Sequence, residues 1–246
     1  MANVTLDAML EKFGVVTVMD VELYPTVRWT YDEVYADDFE RNYAPGEWNA
    51  EKTFESGKPA VYLDTLKITN INAEGPSKTA TGGMAADVLL KYGKKFSVEM
   101  QDAMGRFDVL TNLYGAKVSK NKQILAITDR FPGEYTLVGS TFVIDQATGA
   151  KQPLKIVIPV FLGNGIFNLT QDAEGDVTVF DLNGDVLRFE KESVGTEYIE
   201  VAKGDEKGYK YGPGADNSFY FFATEEGLES IKSQGYREAM EAESAE

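Results

Sequence analysis

Apolar residues in this chain recur mostly every second position, in short runs broken by turn residues. FGVVTVMDVEL (13–23) is β-branched with partial alternation and is followed by Pro25, which predicts a first strand. PAVYLDTLKITNIN (59–72) predicts another, apolar at Val61, Leu63, Leu66 and Ile68, with a phase slip near Asp64–Thr65 that reads as a bulge. The following AEGPSKTATGG has the composition of a loop. FSVEM (96–100) alternates as a strand should. From Lys122 the chain becomes a series of strands: KQILAIT, FPGEYTLVG, STFVIDQATGAKQPLKIVIPVFLGNGIFNLTQ, VTVF, DVLRFE, EYIEVAK and SFYFFA. Ala147–Thr148–Gly149 and Gly163–Asn164–Gly165 supply hairpin turns, and the almost wholly apolar Pro153–Phe161 predicts a central strand.

Two segments change period. In TYDEVYADDFERNYAPGEW, Tyr31, Tyr35, Phe39 and Tyr43 recur every four residues. Thr30 and Glu33 form a capping box, and Pro45–Gly46 supplies a stop, which predicts a helix over 31–43. It rides on a long excursion reaching to about Lys58. In QDAMGRFDVLTNLYGAK, Met104, Phe107, Leu110 and Leu113 or Tyr114 make one apolar stripe between a capping Asp102 and a terminating Gly115. That predicts a helix over 103–114 covering one face of a sheet. The tail TEEGLESIKSQGYREAMEAESAE is acidic, and Gly227 and Gly235 weaken its helical pattern, so 224–246 reads as a helical or disordered segment. Many short strands with one good helix predict a mainly β fold, a sandwich or barrel.

Composition narrows the function. The 246 residues suffice for one sizeable core, with residues 1–223 read as one β domain. No run approaches the ~18 apolar residues of a membrane helix, and the N-terminus lacks the features of a signal peptide, so a soluble protein made in the cytosol is expected. With no cysteine and no histidine, disulfides, the usual zinc sites and His-based triads are excluded. The net charge of −16 opposes tight binding to nucleic acid, since that binding neutralises phosphates with Lys and Arg.

The remaining chemical candidates are weak. DAEGDVTVFDLNGD (172–185) repeats D-x-[EN]-G-D, a pattern that could hold calcium or turn a chain. Gly175 and Gly184 fall at the wrong positions for a helix–loop–helix calcium loop, so both clusters are expected to be turns. Ser119–Lys120–Asn121–Lys122 matches S-x-x-K but lacks the companion motifs and begins a turn. Lys78 is not preceded by the glycine a phosphate loop requires. No cofactor or metal is expected, and an enzyme would have to be a carboxylate-based hydrolase.

From Phe131 to Glu190 the chain resembles the tail tube (major tail) proteins of long-tailed bacteriophages. The similarity lies in LVGSTFVIDQATGAKQPLKIVIPVF followed by IFNLTQDAEGDVTVFDLNGDVLRF. The matching positions are Gly139, Thr141, Asp145, Gly149, Pro153, Pro159, Gly175 and Asp176. KFSVEMQDAMGRFDVLTNLYGAK is similar to the strand-then-helix element of that family. The resemblance implies a β-sandwich or partial barrel with one flanking helix and a long excursion, about 25–58, between early strands. It implies hexameric rings stacked into a hollow tube in the virion tail, assembled in the bacterial host cytoplasm. The implied partners are the chain itself, other tail proteins, and viral DNA that passes without tight binding, with no membrane. Trp29, Tyr31, Tyr35, Phe39, Tyr43, Trp48 and Phe54 then become candidates for subunit contacts, although they can equally pack onto their own domain. The competing reading is a monomeric β-sandwich binding module for carbohydrate or a host surface.

Overall fold

The computed structural model describes residues 18–34, 43, 45–63, 67–74, 77–80, 88–91, 95–102, 111–112, 115–128, 132–144, 149–163, 180–190, 199–203, 206–211 and 219–241. The fold is mainly β, as the alternation predicts, with an antiparallel sheet at its centre. The strands that build this sheet are β1 (Met19–Pro25), β2 (Val61–Leu63), β3 (Lys67–Glu74), β6 (Lys95–Asp102), β9 (Glu134–Ile144), β10 (Lys151–Gly163), β11 (Phe180–Val186) and β14 (Phe221–Ala223). Three hairpins stand apart: β4 (Ser77–Ala80) with β5 (Val88–Lys91), β7 (Lys117–Val118) with β8 (Leu125–Ala126), and β12 (Ile199–Lys203) with β13 (Glu206–Tyr211).

The order β2-β1-β9-β10-β11-β6-β3 curls round so that β3 meets the residue before β1 through one bridge. Val18, just before β1, bridges Ile68 of β3, and Ile68 N donates to Val18 O at 3.2 Å. β2 and β3 thus lie along the same side of β1. Their register to β1 differs by two residues, from Val21 opposite Leu63 to Val18 opposite Ile68. The predicted bulge at Asp64–Thr65 falls in this interval but lies outside the described residues.

Six antiparallel strands therefore enclose one core. Val18, Val21, Leu23, Val61, Ile68, Val98, Met100, Leu137, Ile156, Ile158, Phe161 and Val186 are buried together, contributed by every strand around the ring. Two bulges keep the inward parity. One extra residue on β1 between Met19 and Glu22 lets both Val18 and Val21 face inward, and Asp20 takes a positive φ of 53° there. One extra residue on β10 between Ile158 and Phe161 does the same for Phe161. Pro159 sits in that bulge, where its missing N–H costs no ladder bond. Its carbonyl accepts hydroxyls from Thr136 at 2.7 Å and Thr26 at 3.0 Å.

The outer face of β1, β9 and β10 carries a second core of Tyr24, Val138, Val157 and Val160. Covering it are α2 (Ala50–Phe54) from the excursion, α3 (Glu225–Gln234) and α4 (Tyr236–Glu241), while β14, paired with β10, adds Ala223 and Phe221 to it. A further short helix, α1 (Tyr31–Val34), lies on the excursion. α1 lies at the start of the helix predicted over 31–43 and α3 and α4 make the tail helical, whereas α2 was not predicted. Of the helix predicted over 103–114 only residues 111–112, both helical, are described.

Three local expectations are corrected. The loop AEGPSKTATGG contains strand residues, since β3 runs to Glu74 and Ser77–Ala80 pairs with Val88–Lys91. The second glycine–aspartate cluster is no turn but the interior of β11, with Asn183, Gly184 and Asp185 opposite Glu99, Val98 and Ser97. The physical reason is close packing: a Cβ on Gly184 would stand 2.5 Å from both Leu162 O and Phe161 Cζ. Residues 172–179 of the first cluster lie outside the described residues. Finally, Gly227 and Gly235 do not weaken the tail helix: Gly227 lies in the first turn of α3 and Gly235 ends it. Gly227 N donates to the Thr224 cap at 3.1 Å, and Gly235 closes the helix at φ 91°.

Candidate subunit interface

The excursion leaves β1 at Pro25 and is tied down almost at once. Arg28 makes a forked pair with Glu134 at the start of β9, 2.6 Å from Nε and 2.9 Å from Nη2, and its Nη1 donates to Gly46 O at 2.7 Å. The capping box forms as predicted: Thr30 N donates to Glu33 Oε2 at 2.8 Å, and Glu33 N to Thr30 Oγ1 at 3.4 Å. Lys52 of α2 pairs with Glu33, and this hydrogen bond leads the causes that hold the Glu33 carboxyl below its ordinary value. Asn49 caps α2, accepting from Lys52 N at 3.0 Å.

Between these ties lies a cluster of rings. Trp48 is edge-on to Phe54 and Phe189, with centroids 6.0 and 5.7 Å away, and Tyr24 meets Phe54 at 4.8 Å. Trp29 stacks on Tyr43 at 5.1 Å. Tyr236 of α4 closes the cluster against Phe189 and Phe221, each at 4.9 Å. The arrangements are the offset and edge-to-face geometries that ring quadrupoles favour.

A buried ionic knot joins the excursion to the C-terminal helices. Arg237 donates from Nη2 to Glu47 at 2.9 Å and stands 3.6 Å from Glu190, while its guanidinium lies over the Tyr43 ring at 5.4 Å. The Glu47 side chain is only 2% exposed and that of Arg237 14%. The Tyr43 hydroxyl accepts from Arg237 N at 3.1 Å and donates to Glu238. Burial, followed by the hydrogen bond to Glu238, pushes the Tyr43 phenol far above its ordinary value. Tyr24 is raised likewise, by burial and then by its hydrogen bond to Glu22 at 2.8 Å.

The structure thus divides the predicted contact residues. Trp29, Tyr43, Trp48 and Phe54 are buried in the chain's own fold, one of the two placements the sequence leaves open. Tyr31 on α1 is 55% exposed. Tyr35 and Phe39 lie outside the described residues. Of the family-like positions, Gly139 and Thr141 are buried on β9, Gly149 turns into β10 with φ 70°, Pro153 is exposed early in β10, and Pro159 occupies the β10 bulge. Asp145, Gly175 and Asp176 lie outside the described residues.

Gly139 has a particular place. A Cβ there would overlap Val18 Cγ1 and stand 3.1 Å from Ile156 Cγ2 and 3.8 Å from Ile68 Cδ1. The missing side chain makes room for the pair that closes the barrel.

Sequence reasoning missed the exposed apolar side chains of the β7–β8 hairpin, Val118, Ile124 and Ile127. The signal was present in Ile124–Leu125–Ala126–Ile127, an unbroken apolar run on a strand too short to bury both faces. Beside the hairpin's root a hollow of about 340 Å³ is lined by Thr111, Asn112, Gly115, Ala116, Pro132, Gly133 and Tyr135, with Tyr135 Oη donating to Asn112 at 3.1 Å. Among the described residues no group of three or more Asp or Glu could hold a metal ion, and no helix is long and apolar enough to cross a membrane.

Residues 117–201 match the model of the YomU/Tube protein family. The matched segment includes β7 through β11 and contains most of the stretch on which the resemblance rests. It supports a phage tail tube protein family, a structural one rather than a family of enzymes. No curated protein matches the chain.

Proposed function

We propose that this chain, a protein of the phage tail tube kind, is the repeating subunit of the tube wall. Copies close into hexameric rings, and the rings stack into a hollow conduit for viral DNA. The observation that carries this reading is the match to the YomU/Tube family over 117–201, the segment containing three adjacent strands of the barrel, β9, β10 and β11. The charge agrees with it. Each copy contributes a net charge of −16, so lumen-facing carboxylates repel phosphate over about a Debye length of 8 Å and let DNA slide.

The excursion has two roles in this assembly. Its rooted part, with Trp29, Tyr43, Trp48 and Phe54 in the subunit, fixes the geometry of the part that reaches a neighbour. The contact itself falls to the exposed Tyr31 and to Tyr35 and Phe39. Electron microscopy of the concentrated, purified protein tests the reading: hollow tubes or six-fold rings are expected. A protein that stays monomeric at high concentration, and retains on a carbohydrate array instead, would overturn it in favour of the binding module. Replacing Tyr35 and Phe39 with serine is expected to leave a folded subunit that polymerises poorly.

A further inference from the structure

We infer that the β7–β8 hairpin is a preformed docking arm whose occupant is an acidic face of a second copy of this chain. The inference rests on the assembly proposed above and names a contact within it. Ile124 and Ile127 are 65% and 54% exposed, and Val118 of the facing strand is 40% exposed. Leu125, between them in sequence, packs against the barrel core beside the buried Ala116, so the hairpin is held at its base while its other apolar groups face outward.

The tip is built to hold its shape. Ser119 Oγ accepts from Gln123 N at 3.2 Å and from Ile124 N at 3.0 Å. Ser119 N donates to Ile124 O at 2.9 Å, and Lys122 N to Ser119 O at 2.8 Å. Lys122 adopts φ 57° to close the turn. The S-x-x-K sequence is thus a turn lock. A surface already ordered loses little conformational entropy on docking.

Charge selects the occupant. From Ala116 to Thr128 the chain has Lys117, Lys120 and Lys122 and no carboxylate, whereas the whole chain has 40 acidic residues against 24 basic ones. All three lysines are exposed. A basic, apolar arm on an acidic body is complementary to another copy of that body and repelled by none of its own kind except at the arm itself. That is the asymmetry a head-to-tail contact needs, in which the arm of one copy meets a different face of the next. Nucleic acid would use the lysines but leave Val118, Ile124 and Ile127 in water, so an acidic protein surface fits the arm better.

The absence of cysteine makes a direct test possible. Ile124→Cys carries a single thiol, to be labelled with a benzophenone photocrosslinker in the full chain under assembling conditions. Crosslinked dimers and ladders are expected, with crosslinked peptides mapping to an acidic face of the partner copy. A second variant, Ile124→Asp with Ile127→Asp, is expected to lower assembly at least tenfold by sedimentation while the far-ultraviolet circular dichroism and melting temperature of the subunit stay unchanged. If the unaltered chain forms no assemblies, the tube reading itself fails. If it assembles and the double variant assembles equally well, the arm is not the contact and only this inference fails. Assembly that survives in the double variant together with DNA retention lost in Lys120→Glu would overturn it in favour of a nucleic-acid contact.

Discussion

Replacing Gly139 with alanine tests whether the seam between β1 and β3 closes the barrel through close packing. The new methyl would overlap Val18 Cγ1 and press on Ile156 Cγ2 at 3.1 Å, and Val18 is the residue whose bridge to Ile68 joins β3 to the start of β1. Overpacking of a tight core costs about 1–3 kcal/mol, against which alanine regains roughly 0.5–1 kcal/mol over glycine in the strand. The net expectation is a loss of about 1–2 kcal/mol. With a urea m-value of roughly 3 kcal/mol/M, the unfolding midpoint falls by about 0.5 M. The decisive measurement is the cycle with Val18→Ala. That change alone removes buried methyls and costs about 1–3 kcal/mol. In its background the clash is gone, so Gly139→Ala is then nearly neutral, giving a coupling of about 1–2 kcal/mol. If the two effects add to within about 0.5 kcal/mol, Gly139 is not making room for Val18 and the account of the seam is wrong.

Other parts of the fold give equally direct tests. Arg237→Met takes the guanidinium from the buried Glu47, and removing one partner of such a pair costs about 3–5 kcal/mol. A fall in melting temperature on the order of 10 °C is expected from that loss, and a fall under about 2 °C would show that Glu47 does not depend on Arg237. Gly235→Ala forces a side chain into φ 91° with its Cβ 2.5 Å from Tyr43 Oη, so limited proteolysis is expected to cut within 236–246 far faster than in the parent chain; equal cutting rates would refute it. Tyr43 sets an alkaline limit. Its folded-state pKa is raised above the unfolded value of about 10, so its contribution is fully present below about pH 10 and is lost as pH climbs beyond it. Unfolding above pH 10 should coincide with phenolate absorbance, and Tyr43→Phe should flatten the dependence; an unchanged slope would count against the buried phenol.

What could be read from the sequence followed from how strictly each residue's role is tied to its neighbours in the chain. β6, β9 and β10 were legible because alternation or a continuous apolar run reports burial directly. The Thr30–Glu33 box was legible because both partners lie within one turn. Glycine was the source of most errors, since three different jobs look alike in sequence. Gly184 clears space for Phe161, Gly139 clears space for Val18, and Gly235 ends a helix. Only contacts distant in sequence tell them apart. The aromatic spacing of the excursion had the same defect: a ring buried against Phe189 and Phe221 and a ring offered to another subunit produce the same pattern. The exposed hairpin went unnoticed because its apolar run reads as another strand, and only the two-residue length of β8 leaves Ile124 and Ile127 uncovered.

Closure of the barrel also constrains how copies can meet. An open sheet invites a neighbour to add a strand along its edge. Here the strands pair in order around the core, and the two sides of the seam meet through the bridge between Val18 and Ile68. Among the described residues, the strands of the main sheet with one paired strand neighbour are β2, β3 and β14; β2 and β14 are three residues each, and the eight-residue β3 pairs β6 and meets the start of β1 through the single Val18–Ile68 bridge. The three-residue edges of β2 and β14 give few ladder bonds to a neighbouring copy. In the assembly proposed above, side-chain surfaces share the contact with the strand edges, and they have to be rigid to define one ring size. The rooted excursion and the locked hairpin both meet that requirement. One is fixed by Arg28, Arg237 and the ring cluster, and the other by the Ser119 turn. If the chain assembles as proposed, loosening either root without touching any exposed side chain should yield rings of irregular size, seen by electron microscopy, rather than no assembly.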